Sequence, residues 1–199
     1  MKRALFAGLV LVSGCLGPRA DRSAFFLLTT PPTLGEGTPV PVALGLGPIT
    51  LPGYLDRPQI VVRVSDNEIV LTESDRWAEP LRDNVSRTLK ENLSRLLPTS
   101  SYVEFPWYEA DAPDYGVVVE IRRFEADSAG TVILDATWRL TEAGRAIDGR
   151  ATLIDESAGG LERSGTVAAQ SRALAELSRE IAEGVRRAHA RSPSSVESR

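Results

Sequence analysis

Between Thr131 and Thr141 the side chains follow a period of two. Val132, Leu134, Ala136, Trp138 and Leu140 fall on one side, with Thr131, Asp135, Thr137 and Arg139 on the other. Successive side chains leave a strand on opposite faces, so this spacing belongs to a strand with one packed and one wetter face, as antiparallel sheets commonly have. Turn sequences bracket it, Asp127-Ser128-Ala129-Gly130 before and Glu142-Ala143-Gly144 after. Together they predict a meander of Tyr115–Glu125, Thr131–Thr141 and Arg145–Asp155. A sheet with one apolar face needs a second layer over that face, and the rest of the chain must supply it.

Two amphipathic helices are available. Leu81, Val85, Leu89, Leu93 and Leu96 recur at helical spacing between Pro80, which suits a first turn, and Pro98, which stops the helix. Asn92 lies within that stripe and reads as a core-edge amide bonded to nearby backbone. A second helix is predicted over Val167–Ala190, with Thr166 as its cap and Val167, Ser171, Leu174, Leu177, Ile181, Val185 and Ala188 as its buried stripe. Further strands are expected at Phe25–Leu28, at Gln59–Val64 and Glu68–Glu73 (a hairpin through Ser65-Asp66-Asn67), and at Tyr102–Trp107. Prolines and glycines across residues 29–43 predict an extended linker without helix, and Pro48 and Pro52 confine Leu44–Leu55 to an edge or irregular strand. The fold class is α+β, a two-layer sandwich of a mainly antiparallel sheet backed by two amphipathic helices.

The N-terminus has a separate logic. Met1-Lys2-Arg3 is basic, Ala4 to Val12 is small and apolar, and Ser13-Gly14-Cys15 follows at once. That order reads as a signal peptide over residues 1–14, and its apolar run is far shorter than the ~20 residues needed to span a bilayer. Val12-Ser13-Gly14-Cys15 resembles a bacterial lipobox, which makes Cys15 the lipid-bearing residue. Leu16, in place of Asp, resembles lipoproteins sorted to the outer membrane. Residues 15–24 form a lipidated tether, 25–190 a single domain, and 191–199 a disordered tail.

Composition narrows the chemistry. Cys15 is the one cysteine, so the mature domain has no disulfide and rests on its core. The chain has 23 basic and 27 acidic residues, and removal of the leader with Lys2 and Arg3 makes it more acidic still. Without basic clusters it is a poor nucleic-acid binder. One histidine, His189 near the end of the last helix, supports neither a metal site nor a His-dependent catalytic centre. Gly45-Leu46-Gly47-Pro48 lacks the lysine and the N–H of a phosphate loop. Asp155-Glu156 and Asp111 with Asp114 could serve a glycosidase-type reaction, though adjacent acids at strand ends are usually solvated turns. No cofactor is expected.

The string GPITLPGYLDRPQIVVR from Gly47 is followed by Asp66-Asn67, by SDRWAEPL over Ser74–Leu81, by Glu91-Asn92-Leu93 and by the closing AAQSRALAELSREIA. These segments resemble the ABC-type transport auxiliary lipoprotein family, the PqiC-like lipoproteins. Phe25-Phe26 departs from it, since members often carry tyrosine there. The resemblance implies a non-enzymatic, outer-membrane-anchored protein on the periplasmic side. It would serve an MCE-type (mammalian-cell-entry) intermembrane lipid-transport system. The partners implied are an MCE-domain periplasmic protein with its membrane permease complex, and lipid through the Cys15 anchor or as cargo. A homo-oligomer is allowed. The alternatives are a generic envelope-assembly scaffold and a periplasmic hydrolase using paired carboxylates. No binding residue is carried over from the family. From residue chemistry, Leu51, Tyr54, Asp56 and Arg57 with Arg76 and Trp77 form a candidate partner-binding surface, because rigid aromatic and guanidinium groups are enriched at interface hot spots. The competing reading is that Tyr54 and Trp77 are core and Arg57 pairs with Glu79.

Overall fold

Period-two segments and helical stripes both find their places in the computed structural model, which describes residues 23–108, 112–160 and 162–191. Cys15, the predicted leader, most of the tether and residues 192–199 lie outside the described residues. The elements are β1 (Ala24–Phe26), a 3-10 turn (Pro32–Leu34), β2 (Val40–Thr50), β3 (Gln59–Ser65), β4 (Glu68–Trp77), α1 (Leu81–Leu96), β5 (Thr99–Glu104), β6 (Tyr115–Asp127), β7 (Thr131–Glu142), β8 (Arg145–Ser157) and α2 (Arg163–Arg191).

The predicted meander is the spine of the sheet. β6, β7 and β8 pair antiparallel along long, nearly continuous ladders. Val132, Leu134, Ala136, Trp138 and Leu140 are all fully buried, as their spacing requires. The other edge of β6 is shared by two strands lying end to end, β2 along Tyr115–Glu120 and β3 at Ala126–Asp127, both parallel to it. β5 adds to β2, and β4 and β1 extend from β3, completing an eight-stranded sheet. The long ladders are antiparallel and the shorter ones mostly parallel, so the mainly antiparallel α+β sandwich stands.

Both helices cover one face. Every apolar residue of the two predicted stripes is buried. α2 crosses above β7 and β8 at a close approach. A Cβ on Gly184 would sit 2.5 Å from Trp138 Cη2, so the indole fills the space that any larger residue would take. The main core cluster runs from Leu28 through both helices to Ala188, with a small satellite of Ala126, Val132 and Ala169.

β2 takes the second of its two expected forms, an irregular strand: it is interior, pairing on both sides, and Pro48 falls in a register break between Leu46 and Ile49 where no ladder bond is needed. Three other local expectations need correction. Residues 29–43 are not uniformly extended, because Pro32 opens a 3-10 turn, a position that loses nothing by lacking an N–H. α2 begins at Arg163, so Thr166 is no cap and its hydroxyl instead faces the Glu162 carbonyl. Asn92 donates to Ser178 Oγ on α2 at 3.1 Å rather than to nearby backbone, which makes it a link between the helices.

The segment after β1 is strapped down. Leu28 is buried, its N–H donates to Asn84 Oδ1 at 3.0 Å, and its carbonyl accepts from Arg87 at 3.1 Å. The next amide, that of Thr29, donates to Ser171 Oγ of α2 at 3.2 Å. The chain leaving β1 is thereby bonded to both helices.

Candidate functional site

The nominated residues fall where the sheet changes strands. Because β2 leaves β6 after Glu120 and β3 joins it at Ala126, a stretch of β6 lacks a strand on that edge. The connection over residues 51–58 crosses this gap. It is turned by Leu55 and Asp56 N–H groups donating to the Pro52 carbonyl at 2.9 and 3.3 Å. Leu55 is driven into the core, and Leu51 packs half-buried against it.

Tyr54 fills the gap from the open face of the sheet. Its hydroxyl lies 2.9 Å from Glu125 Oε2 and 3.2 Å from the Arg122 carbonyl, and the Arg63 guanidinium sits over its ring at 5.7 Å. Glu125 is 1 % exposed. It accepts from Arg63 Nε at 2.6 Å, Arg123 Nε at 3.1 Å and the Phe124 amide at 3.0 Å. Burial alone would raise its pKa, but these donors outweigh burial and hold the carboxyl below its ordinary value. Burial and the Glu125 charge push the Tyr54 phenol the other way, up to about 12. The cluster therefore holds a buried carboxylate and a neutral phenol across the physiological range. Sequence reasoning missed Glu125, because an acid inside a strand reads as part of a solvated face.

The remaining nominated residues adjoin this cluster. Asp56 accepts from Arg82 on α1 at 2.5 Å and pins the connection to the helix. Trp77, 5 % exposed, belongs to the core, and its N–H donates to the Pro58 carbonyl at 2.7 Å. Arg76 lies opposite Gln59 on β3 and Phe25 on β1. The Nε atoms of Arg57 and Arg76 are both buried without a hydrogen-bond partner. Glu79, considered for Arg57, is held by Arg87 at 2.9 Å. The structure thus gathers all six residues at one end of the sheet, with Trp77 beneath and the two arginines unpaired among the described residues.

A groove of about 740 Å³ adjoins this end, between the first half of α1 and the ends of β2 and β5. Arg82, Lys90 and Glu104 line its wall, with Ile49, Tyr102 and Phe105 along the sheet side. Most of its charges are already engaged, Lys90 with Glu104 at 2.7 Å, Arg82 with Asp56 and Arg87 with Glu79, while Asp83 has no ion pair among the described residues. The paired acids do not converge. Asp155 and Glu156 alternate to opposite faces of β8, and Glu156 accepts from Arg172 at 2.9 Å. Asp114 accepts the Ala43 amide at 2.7 Å, and Asp111 lies outside the described residues. His189 sits in the last turn of α2. Among the described residues no three His, Cys, Asp or Glu side chains gather as for a metal, and no helix is long and apolar enough to cross a membrane.

The chain is similar to proteins already described. An Escherichia coli intermembrane transport lipoprotein, PqiC, is 26% identical over 141 residues, covering 68% of this chain and 72% of that protein. Its Shigella flexneri counterpart matches equally. Among solved structures, an uncharacterised protein superposes with a TM-score of 0.68 at 21% identity, covering 82% of this chain and 98% of that one. A Xanthomonas campestris protein gives 0.65 at 18%, covering 81% and 94%. Both support the fold. Residues 26–182 match the family described as the ABC-type transport auxiliary lipoprotein component, and the chain belongs to that family.

Proposed function

We propose that the protein is a lipid-anchored auxiliary subunit of an MCE-type intermembrane lipid-transport system, held through Cys15 on the periplasmic face of the outer membrane. It works by binding rather than by bond chemistry. The observation that carries this reading is the family match over residues 26–182, because it spans α1, most of α2 and nearly every strand rather than one motif. The likeness to an intermembrane transport lipoprotein, and the lipobox-like Val12-Ser13-Gly14-Cys15, support it independently.

Docking is the more specific part of the proposal. The contact surface is the connection Leu51–Arg57 together with Arg76, supported from below by Trp77. Partly exposed arginines without an ion-pair partner among the described residues, on a rigid backbone, suit an interface, where arginine is enriched at hot spots. The neighbouring groove, walled by ion pairs, suits a peptide segment of a partner better than an acyl chain. Guidance of apolar cargo would then fall to the assembled system.

The test is purification of the lipidated protein from its own membranes, with mass spectrometry of everything that accompanies it. An MCE-domain protein and permease subunits, lost on Arg57→Glu, are the expected companions. Recovery of unrelated envelope-assembly proteins alone would replace transport by a scaffolding role.

A further inference from the structure

We propose that Phe25 and Leu27 dip into the surface of the phospholipid bilayer that holds Cys15, so that the domain rests on the membrane through β1 as well as being tied to it by lipid. This rests on the reading of Cys15 as the anchor. Side chains along this segment alternate sharply. Phe26 packs on the core and Leu28 is fully buried, whereas Phe25 is 64 % and Leu27 46 % exposed. A single exposed leucine or phenylalanine is ordinary on a protein surface. Here two stand side by side at an edge strand, and they are the first large apolar side chains after Leu16.

Chain length brings this pair to the lipid. Residues 16–24 separate Phe25 from Cys15, so even at full extension Phe25 stays within about 35 Å of the anchor. A contact made at that range is intramolecular and enjoys a high effective concentration. The pair is also held rigid from behind. The Leu28 amide and carbonyl are bonded to α1 and the Thr29 amide to α2, so contact with the bilayer has little backbone left to order. The charges on this flank do not oppose the contact. Phe25 lies beside Arg76 on β4, which has no ion pair among the described residues, and Asp75, beside Ala24, is engaged by Arg163 at 3.1 Å. A ring and a leucine at the acyl boundary, bordered by a guanidinium at the level of the phosphates, match the way amphipathic elements lie in a membrane interface.

Spin labels on the full lipidated protein, in vesicles of phosphatidylethanolamine and phosphatidylglycerol, test this. Acylated Cys15 has no free thiol, so Phe25→Cys, Leu27→Cys and Glu142→Cys each take one label, the last as an aqueous reference at the exposed end of β7. Oxygen concentrates in hydrocarbon and a nickel chelate stays in water. The ratio of oxygen to nickel collisions should be several-fold higher at 25 and 27 than at 142. Phe25→Asp added to Leu27→Cys should return the label at 27 to the aqueous value, which mere nearness of the tether to the membrane would not do. Aqueous values at 25 and 27, or a label at 27 indifferent to Phe25→Asp, would overturn the proposal and leave the anchor in place. Labels shielded from both reagents would overturn it in favour of burial against protein. Labelling of the wild-type chain would reveal a free Cys15 and remove the anchor reading together with this one.

Discussion

At the scale of single residues, Glu125 is the group on which most depends. It is buried, accepts from two arginines, an amide and a phenol, and so holds Tyr54 in the gap between β2 and β3 on the edge of β6. Glu125→Gln removes the charge while keeping the shape, leaving Arg63 and Arg123 without their counter-ion. It should destabilise the fold by about 2–4 kcal/mol at neutral pH, measured by urea unfolding. The sign of the pH dependence follows from the direction of the shift. A carboxyl held below its ordinary value contributes stability above the unfolded value near 4.3, and loses it as pH falls through the lower folded value. The gap between wild type and variant should therefore narrow on acidification below about pH 4. Tyr54 behaves oppositely. Its contribution is complete below pH ~10 and is lost as pH rises toward about 12, so its phenolate absorbance should emerge late in an alkaline titration. At Gly184 the constraint is steric. Gly184→Ala drives a methyl into Trp138 and should lower stability by about 1–3 kcal/mol in thermal unfolding.

At the scale of elements, the strap after β1 is the most local unit with a separate readout. Asn84 Oδ1 accepts from both the Leu28 amide and Arg87. Asn84→Ala should raise the hydrogen-exchange rate of the Leu28 amide by at least roughly tenfold while the amides of β6 and β7 keep their protection. The elements also show what the sequence makes legible. β7 and α1 are readable because one residue's environment is set by neighbours two, three or four positions away. The same holds for the β3–β4 hairpin and the meander, whose turns are encoded locally. The parallel pairings are not: β2 meets β6 across a separation of about seventy residues, and nothing local distinguishes an interior strand carrying Pro48 from an edge. For the same reason Asn92 reads as a lone amide although Ser178 lies 86 positions away. In the candidate site, the rigid connection over Leu51–Arg57 is visible as a string, whereas the Glu125 cluster beneath Tyr54 exists only once two strands, β3 and β6, and a loop are assembled.

At the scale of the whole molecule, the continuity of the core matters most. Leu28, both helices and every long strand contribute to the main cluster, beside which Ala126, Val132 and Ala169 form only a small satellite. Trp77 shows how far the candidate surface depends on that core. Trp77→Ala should cost about 3–5 kcal/mol, with near- and far-ultraviolet circular dichroism losing signal in a single coincident transition. Separate transitions would mean that the β1–β3–β4 end, with its proposed docking surface, unfolds independently of the meander.

The strap has a mechanical meaning as well. If Cys15 is fixed in a bilayer, any drag on the domain arrives as tension on residues just before Ala24. That tension meets a three-residue ladder along β4 and then Leu28, seated in the core and tied to α1, with Thr29 tied to α2 directly behind it. Pulled along β1, these bonds share the load instead of parting one after another. The leash is thus spliced into both helices, and a tug at the membrane would turn the body as a unit before it could fray the end.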